Sequence, residues 1–121
     1  MAAVAVLFGG PSPEPDISIL TGLQVPRVLT NAGTDAIGIY WSNSGEWNLV
    51  PANLEARDFL EGAPRAASPL KLVIGADGGF VEDKRKLPKL PIEVAVNCCH
   101  GGPGEDGSLQ AALDLAGITY T

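Results

Sequence analysis

Two stretches constrain what this chain can fold into. Ala3 to Phe8 is apolar without interruption and stops at Gly9-Gly10; Pro91 to Val96 is apolar apart from Glu93 and flows through Asn97-Cys98-Cys99 into His100-Gly101-Gly102. A short apolar run that ends in glycine is the pattern of a strand buried on both faces of a parallel sheet. The first run therefore predicts a central strand and the second a further apolar strand, and the carboxyl end of each opens into a glycine-bearing loop, which is where open α/β sheets bind ligands.

The segments between fit that architecture. From Pro15 the apolar positions Ile17, Leu20, Leu23, Val25 and Val28 or Leu29 predict a helix, with Asn31-Ala32-Gly33 as its stop and Pro26 as an interior residue that removes one backbone bond and kinks it. Ala36 to Trp41 predicts a strand, Ser42 to Trp47 a turn leading into a short strand around Trp47 to Val50, and Asn53 to Gly62 a short helix capped by Asn53. Leu70 to Ile74 and Phe80-Val81, around Gly75-Ala76-Asp77-Gly78-Gly79, predict a second hairpin, followed by a solvated charged loop at Asp83 to Lys86. Ser108 to Ala116 predicts a helix with Leu109, Leu113 and Leu115 or Ala116 inward, and Ile118 to Tyr120 the start of a last strand. The expected fold is α/β, a mostly parallel sheet flanked by helices with a hairpin insertion, and at 121 residues one domain.

Charge and cysteine usage exclude several functions. Eight Lys plus Arg against fourteen Asp plus Glu give a net charge of −6, with no basic face to follow a nucleic-acid backbone. No stretch has the ~20 apolar residues of a membrane helix, and the N-terminus lacks the basic start of a signal peptide. The expected setting is the cytoplasm. Cys98 and Cys99 are adjacent in sequence, so along a strand their side chains point to opposite faces and do not pair in an ordinary disulfide. With His100 they diverge, and no second ligand pair completes a metal tetrahedron. They are expected to be small buried residues in a reducing compartment.

The two glycine loops hold the remaining chemistry. In Gly9-Gly10-Pro11-Ser12-Pro13-Glu14-Pro15-Asp16 there is neither the GxGxxG fingerprint nor the GK[ST] of a phosphate loop. Glu14 and Asp16 sit where a carboxylate either caps a helix or faces the crevice. In His100 to Gln110 the glycines precede a helix start, whose free amides favour an anion, and Glu105 and Asp106 are equally ordinary helix-start acids. Read singly, neither loop decides between capping and binding.

Taken together they resemble a family. VAVLFGGPSPEPDIS is similar to the opening strand and loop of the N-terminal domain of D-alanine:D-alanine ligases, members of the ATP-grasp superfamily. HGGPGEDGSLQAALDLAGITYT is similar to that family's HGxxGEDGxxQxxLxxxGIPYT segment. The resemblance implies a Rossmann-like fold and an ATP-dependent carboxylate-amine ligation that makes a peptidoglycan precursor. It places Glu14 where a glutamate holds the ammonium of the first D-alanine, Ile17 where an apolar residue lines its methyl pocket, and His100 where a histidine approaches its carboxylate. Ser18, Gly104, Glu105, Asp106 and Gly107 fall in the supporting loops. ATP and Mg2+ (or Mn2+) are implied for the full-length enzyme but not for this domain. The resemblance also implies that the chain is a truncated domain, without the central and C-terminal ATP-grasp domains and inactive alone; a homodimer through the first helix is a further implied partner. Pro11 replaces an arginine common after GG, and Asn97-Cys98-Cys99 stands where the family has a more apolar, proline-containing segment. A related ligase that joins another small amino acid, or a stand-alone binding or dimerisation module, are the alternatives.

Overall fold

The computed structural model describes residues 3–11, 15–51, 54–60, 62–82, 89–99, 102–104 and 106–121, with backbone alone at 15–18. β1 (Ala3–Gly9) is followed by helix α1 (Pro15–Asn31), β2 (Ala36–Trp41), β3 (Trp47–Val50), a single 3-10 turn at Ala56–Phe59, β4 (Ser68–Val73), β5 (Gly79–Glu82), β6 (Ile92–Asn97), a 3-10 turn at Gly102–Gly104 and helix α2 (Ser108–Leu115). The six strands form one sheet in the order β5-β4-β3-β2-β1-β6.

The sheet is mixed, which corrects the expectation of a mostly parallel one. Among the six described strands, the parallel pairs are those of β1, with β2 on one side and β6 on the other; β2–β3, β3–β4 and β4–β5 are antiparallel. A parallel neighbour needs a crossover of a dozen residues or more, and the turn after β2 is far shorter. Ser42 closes it: its backbone N–H donates to the Glu46 carbonyl at 2.8 Å, and its Oγ accepts the Glu46 N–H at 3.0 Å. Trp41 and Trp47 stack across this hairpin, ring planes 4° apart and centroids at 4.6 Å. That stack fixes the register by a cross-strand aromatic pair.

Alternation along β1 sorts the core into two layers. Ala5 and Leu7 pack with Ile39, Ala95, Leu109 and Leu113 on the α2 face. Val6 and Phe8 pack with Ile19, Leu23, Tyr40, Val50 and Phe59 on the α1 face. Helices thus cover both faces of the parallel part, as a doubly buried strand requires.

Helix α1 has its predicted ends and part of its predicted inward face: Leu23 is buried and Val25 and Leu29, the second of the two alternatives, pack against the core. Ile19, Gly22, Leu23 and Pro26 are buried, while Leu20 and Val28 are 53% and 66% exposed. The stripe runs i, i+3, i+4, i+7, and two of its four members are residues that an apolar count skips: one has no side chain and the other reads as a breaker. The helix continues through Pro26 to Asn31. The helix expected over Asn53 to Gly62 is only one 3-10 turn, because a single buried residue, Phe59, is all it has to seat. Asn53 lies outside the described residues, as does the Asp83 to Lys86 loop; the turn starts at Glu55, whose N–H donates to Asp58 Oδ2 at 2.9 Å.

Helix α2 stops as predicted. The Gly117 N–H donates to the Asp114 carbonyl and the Ile118 N–H to the Leu113 carbonyl, the paired bonds of a Schellman end. Of the two alternatives for its last inward position, Ala116 is buried and Leu115 is 61% exposed. The chain then reaches β6, where Tyr120 forms a parallel bridge with Ala95. The predicted last strand is present as that bridge.

Candidate functional site

Because β1 and β6 are parallel neighbours, their carboxyl ends lie at one edge of the sheet, with Leu7 opposite Asn97 and the Cys98 N–H donating to the Leu7 carbonyl at 2.8 Å. The two glycine loops leave from here. Gly9 and Gly10 both have positive φ, 87° and 104°, conformations that side chains with a Cβ rarely adopt. They turn the chain so that the Gly10 N–H donates to the Trp41 carbonyl at 2.7 Å. A Cβ on Gly10 would stand 3.9 Å from the Cys99 Cβ and 3.3 Å from Trp41 Cε3. The first loop therefore starts against the base of the second.

The second loop is tied by one side chain. Asn97 Oδ1 accepts the Cys99 N–H at 2.9 Å, and Asn97 Nδ2 donates to the Gly104 carbonyl at 2.9 Å. Gln110 Nε2 reaches the same carbonyl from α2 at 3.4 Å. Gly104 is buried and passes so close that a Cβ there would meet the Cys99 Cβ at 2.4 Å. Asp106 accepts the Ser108 N–H at 2.9 Å through Oδ1, and its hydrogen bonds to Ser108 hold its carboxyl below the usual aspartate range. The backbone of Gly107 occupies the cap position of α2. An internal carboxylate thus already takes one amide of the helix start that the sequence offered to an anion.

Ile17 and Ser18 lie in the first turns of α1, where the backbone alone is described. Glu14, His100 and Glu105 lie outside the described residues. What the structure brings together is the described residues from which these side chains depart: Gly10 on one loop, Cys99 and Gly104 on the other. Asn97 was legible only as a departure from the apolar pattern, yet it is the side chain that joins both ends of the second loop. A polar residue closing an otherwise apolar strand was the signal.

Cys98 and Cys99 are buried thiols divided between the two core layers, Cys98 on the α1 face and Cys99 on the α2 face. Burial pushes the Cys99 thiol up to about 12, helped by its neighbour, and raises Cys98 as well. Neither is poised as a nucleophile. Iodoacetamide at pH 8 is expected to alkylate Cys99 in the folded chain on the order of a thousandfold more slowly than in urea, since the thiolate fraction falls with the raised pKa. Peptide mass mapping over time checks this; equal rates would refute it. The folded thiol keeps a proton that the unfolded thiol releases above about pH 8.5, so this contribution to stability is complete below that pH and is lost as pH rises. Among the described residues no group of three or more His, Cys, Asp or Glu side chains could hold a metal ion, and no helix is long and apolar enough to cross a membrane.

The family model described as "D-ala D-ala ligase N-terminus" matches residues 3–121. The chain belongs to this family. Among curated relatives of this D-Ala-D-Ala ligase N-terminal family, the D-alanine–D-alanine ligase of Chlorobium chlorochromatii is 33% identical over 127 residues, covering 98% of this chain and 34% of the relative. That of a Methylobacterium species is 37% identical over 122 residues, covering 97% and 31%. The chain spans about a third of the length of the curated relatives it matches. Among solved structures, the D-alanine-D-alanine ligase of Helicobacter pylori superposes with a TM-score of 0.80 at 25% identity, over 99% of this chain and 37% of that one. The VanG D-Ala:D-Ser ligase of Enterococcus faecalis gives 0.77 at 28%, over 98% and 35%. The mixed sheet with helices on both faces is therefore the fold of this family's N-terminal domain.

Proposed function

We propose that this chain supplies the first D-alanine subsite of an ATP-dependent D-alanine:D-alanine ligase. Glu14 holds the substrate ammonium, Ile17 lines the pocket for its methyl group, and His100 donates to its carboxylate. The observation that carries this reading is the convergence of the two loops at the carboxyl ends of β1 and β6, with Gly10 packed toward Cys99. Glu14 and His100 follow these two loop starts in the sequence, and an acid and an imidazole are the pair that clamps the two ends of a zwitterion. Ser18, Gly104, Glu105, Asp106 and Gly107 support the loops without taking part in chemistry.

ATP and Mg2+ (or Mn2+) bind, in this reading, within the part of the relatives that this chain does not match. Bound there, the nucleotide activates the substrate carboxylate by phosphorylation; this chain's own residues bind and orient the amino acid. The chain alone is then inactive, and dipeptide formed from ATP and D-alanine by the purified chain would contradict that. The solved neighbours' names share D-Ala and differ in the second amino acid, and Pro11 and Asn97 depart from the common pattern, so a relative joining another small amino acid is the second reading. A homodimer through α1 belongs to the same proposal, with Leu20, Val28 and Leu60 exposed on or beside that helix. Sedimentation as a monomer would remove it.

The test is a titration of the 15N-labelled chain with D-alanine, followed by NMR. The expected result is millimolar binding, weak because much of the clamp is missing, with shifts confined to the two loops. Glu14→Gln and His100→Ala are each expected to weaken it about tenfold, the effect of one charge-assisted hydrogen bond. Binding indifferent to His100→Ala would remove that residue from the subsite.

A further inference from the structure

We infer that Asn97 is the positioning residue of the second loop, and that its side chain, acting through the backbone, sets how tightly the site holds the amino-acid carboxylate. The inference rests on the subsite reading above for its functional half and on geometry for the rest. One amide group spans the loop's two described ends: Oδ1 takes the Cys99 N–H and Nδ2 gives to the Gly104 carbonyl, each at 2.9 Å. His100 lies in the sequence between those two anchor points.

Three further contacts make Asn97 a fixed post. Its own N–H donates to Thr121 Oγ1 at 3.2 Å, it stands opposite Leu7 in the β1–β6 register, and the next residue, Cys98, donates to the Leu7 carbonyl. The side chain therefore projects from the end of an edge strand that pairs with β1 on one side and is bridged to Tyr120 on the other. Gly104 is pressed onto Cys99 with no room for a Cβ, so the two described ends of the loop meet in close contact. The Gly104 carbonyl is buried against Asn97 and Gln110, and Gln110 Oε1 is itself buried without a hydrogen-bond partner among the described residues. Gln110 at 3.4 Å is the longer and weaker tie; removing Asn97 leaves that carbonyl with little else. An apolar residue or proline at 97 offers neither bond, so this loop is held differently from one built on such a residue.

The chain carrying Asn97→Ala, and separately Asn97→Asp, is compared with the wild type in three measurements: melting, 15N backbone order parameters over residues 99–107, and D-alanine titration. Asn97→Asp keeps the acceptor for Cys99 and loses the donor to Gly104, so it remains informative if Asn97→Ala fails to fold. Order parameters are expected to fall at residues 100–104 in both variants while those of β6 and α2 stay at wild-type values, and D-alanine affinity of the folded variants is expected to drop about tenfold. Unchanged order parameters over 100–104 would overturn the positioning role. Loosened loops with wild-type affinity would overturn the link to the carboxylate. If the wild type itself shows no D-alanine-dependent shift, the subsite reading fails and the loop measurement alone decides the clamp.

Discussion

Phe8→Ala is expected to destabilise the fold by about 3–5 kcal/mol, the usual cost of emptying a buried aromatic site. Phe8 is fully buried at the end of β1, and its ring meets Tyr40 and Phe59 at centroid separations of 5.6 Å, the second edge-on. Tyr40 and Phe59 also touch each other at 4.9 Å, so the three rings form one closed cluster between α1, β2 and the 3-10 turn. Losing the central ring leaves a cavity that a one-turn element and a strand end cannot both collapse into. For a chain of this size the melting temperature should fall by roughly 4 °C per kcal/mol, about 12–20 °C in all. Against a typical total stability of about 5–15 kcal/mol, that is a large share. Urea titration with an unchanged slope checks that the loss is stability and not a change in the unfolded state. A shift under about 1 kcal/mol would show that the cluster is not the anchor of the α1 face.

The same region explains which parts of the molecule were legible in the sequence. Strands betray themselves by continuous apolar runs, and β1, β2 and β3 stand within a residue of where those runs put them. Helix ends are encoded by local chemistry, so Gly33 and Gly117 mark the ends of α1 and α2. Strand direction is only partly local: the turns after β2 and β4 announced two hairpins and both pairs are antiparallel, but nothing in Ser68 to Val73 announces that β4 pairs antiparallel with β3, and the sheet came out mixed. Part of the inward face of α1 was hidden for a different reason. Its packing rests on the absence of a side chain at Gly22, and an absence carries no hydrophobic signal. The site divides similarly. Motif residues such as Glu14 and His100 were identifiable as types in a pattern, whereas the Asn97 bonds depend on a carbonyl seven residues away and become visible only once the loop has closed.

Gly22→Ala puts that hidden contact to the test, and two opposing effects have to be weighed. In an exposed helix the change is favourable by about 1 kcal/mol, because alanine is the better helix former. Here a Cβ on residue 22 would stand 2.2 Å from both Cβ and Cγ of Phe8, far inside contact distance. Phe8 is fully buried and stands opposite Tyr40 in the β1–β2 ladder, next to Leu7, which also pairs with Asn97 of β6, so it cannot retreat. Relief requires α1 to lift off the sheet, which opens gaps beneath Ile19 and Leu23 in a core that packs like a crystal. Overpacking of this kind costs about 1–3 kcal/mol and occasionally more, and with the overlap this deep the upper end applies. The net expectation is a loss of about 2 kcal/mol, read as a melting temperature lower by about 8 °C. The pairing with Phe8→Ala sharpens the case. Alanine at position 8 still carries the Cβ that clashes, so the double variant should not recover the loss, whereas Phe8→Gly removes the overlapping atoms and should make Gly22→Ala close to neutral in that background. A stabilising effect of Gly22→Ala in the wild-type chain would mean that the helix does not approach β1 as closely as Gly22 allows.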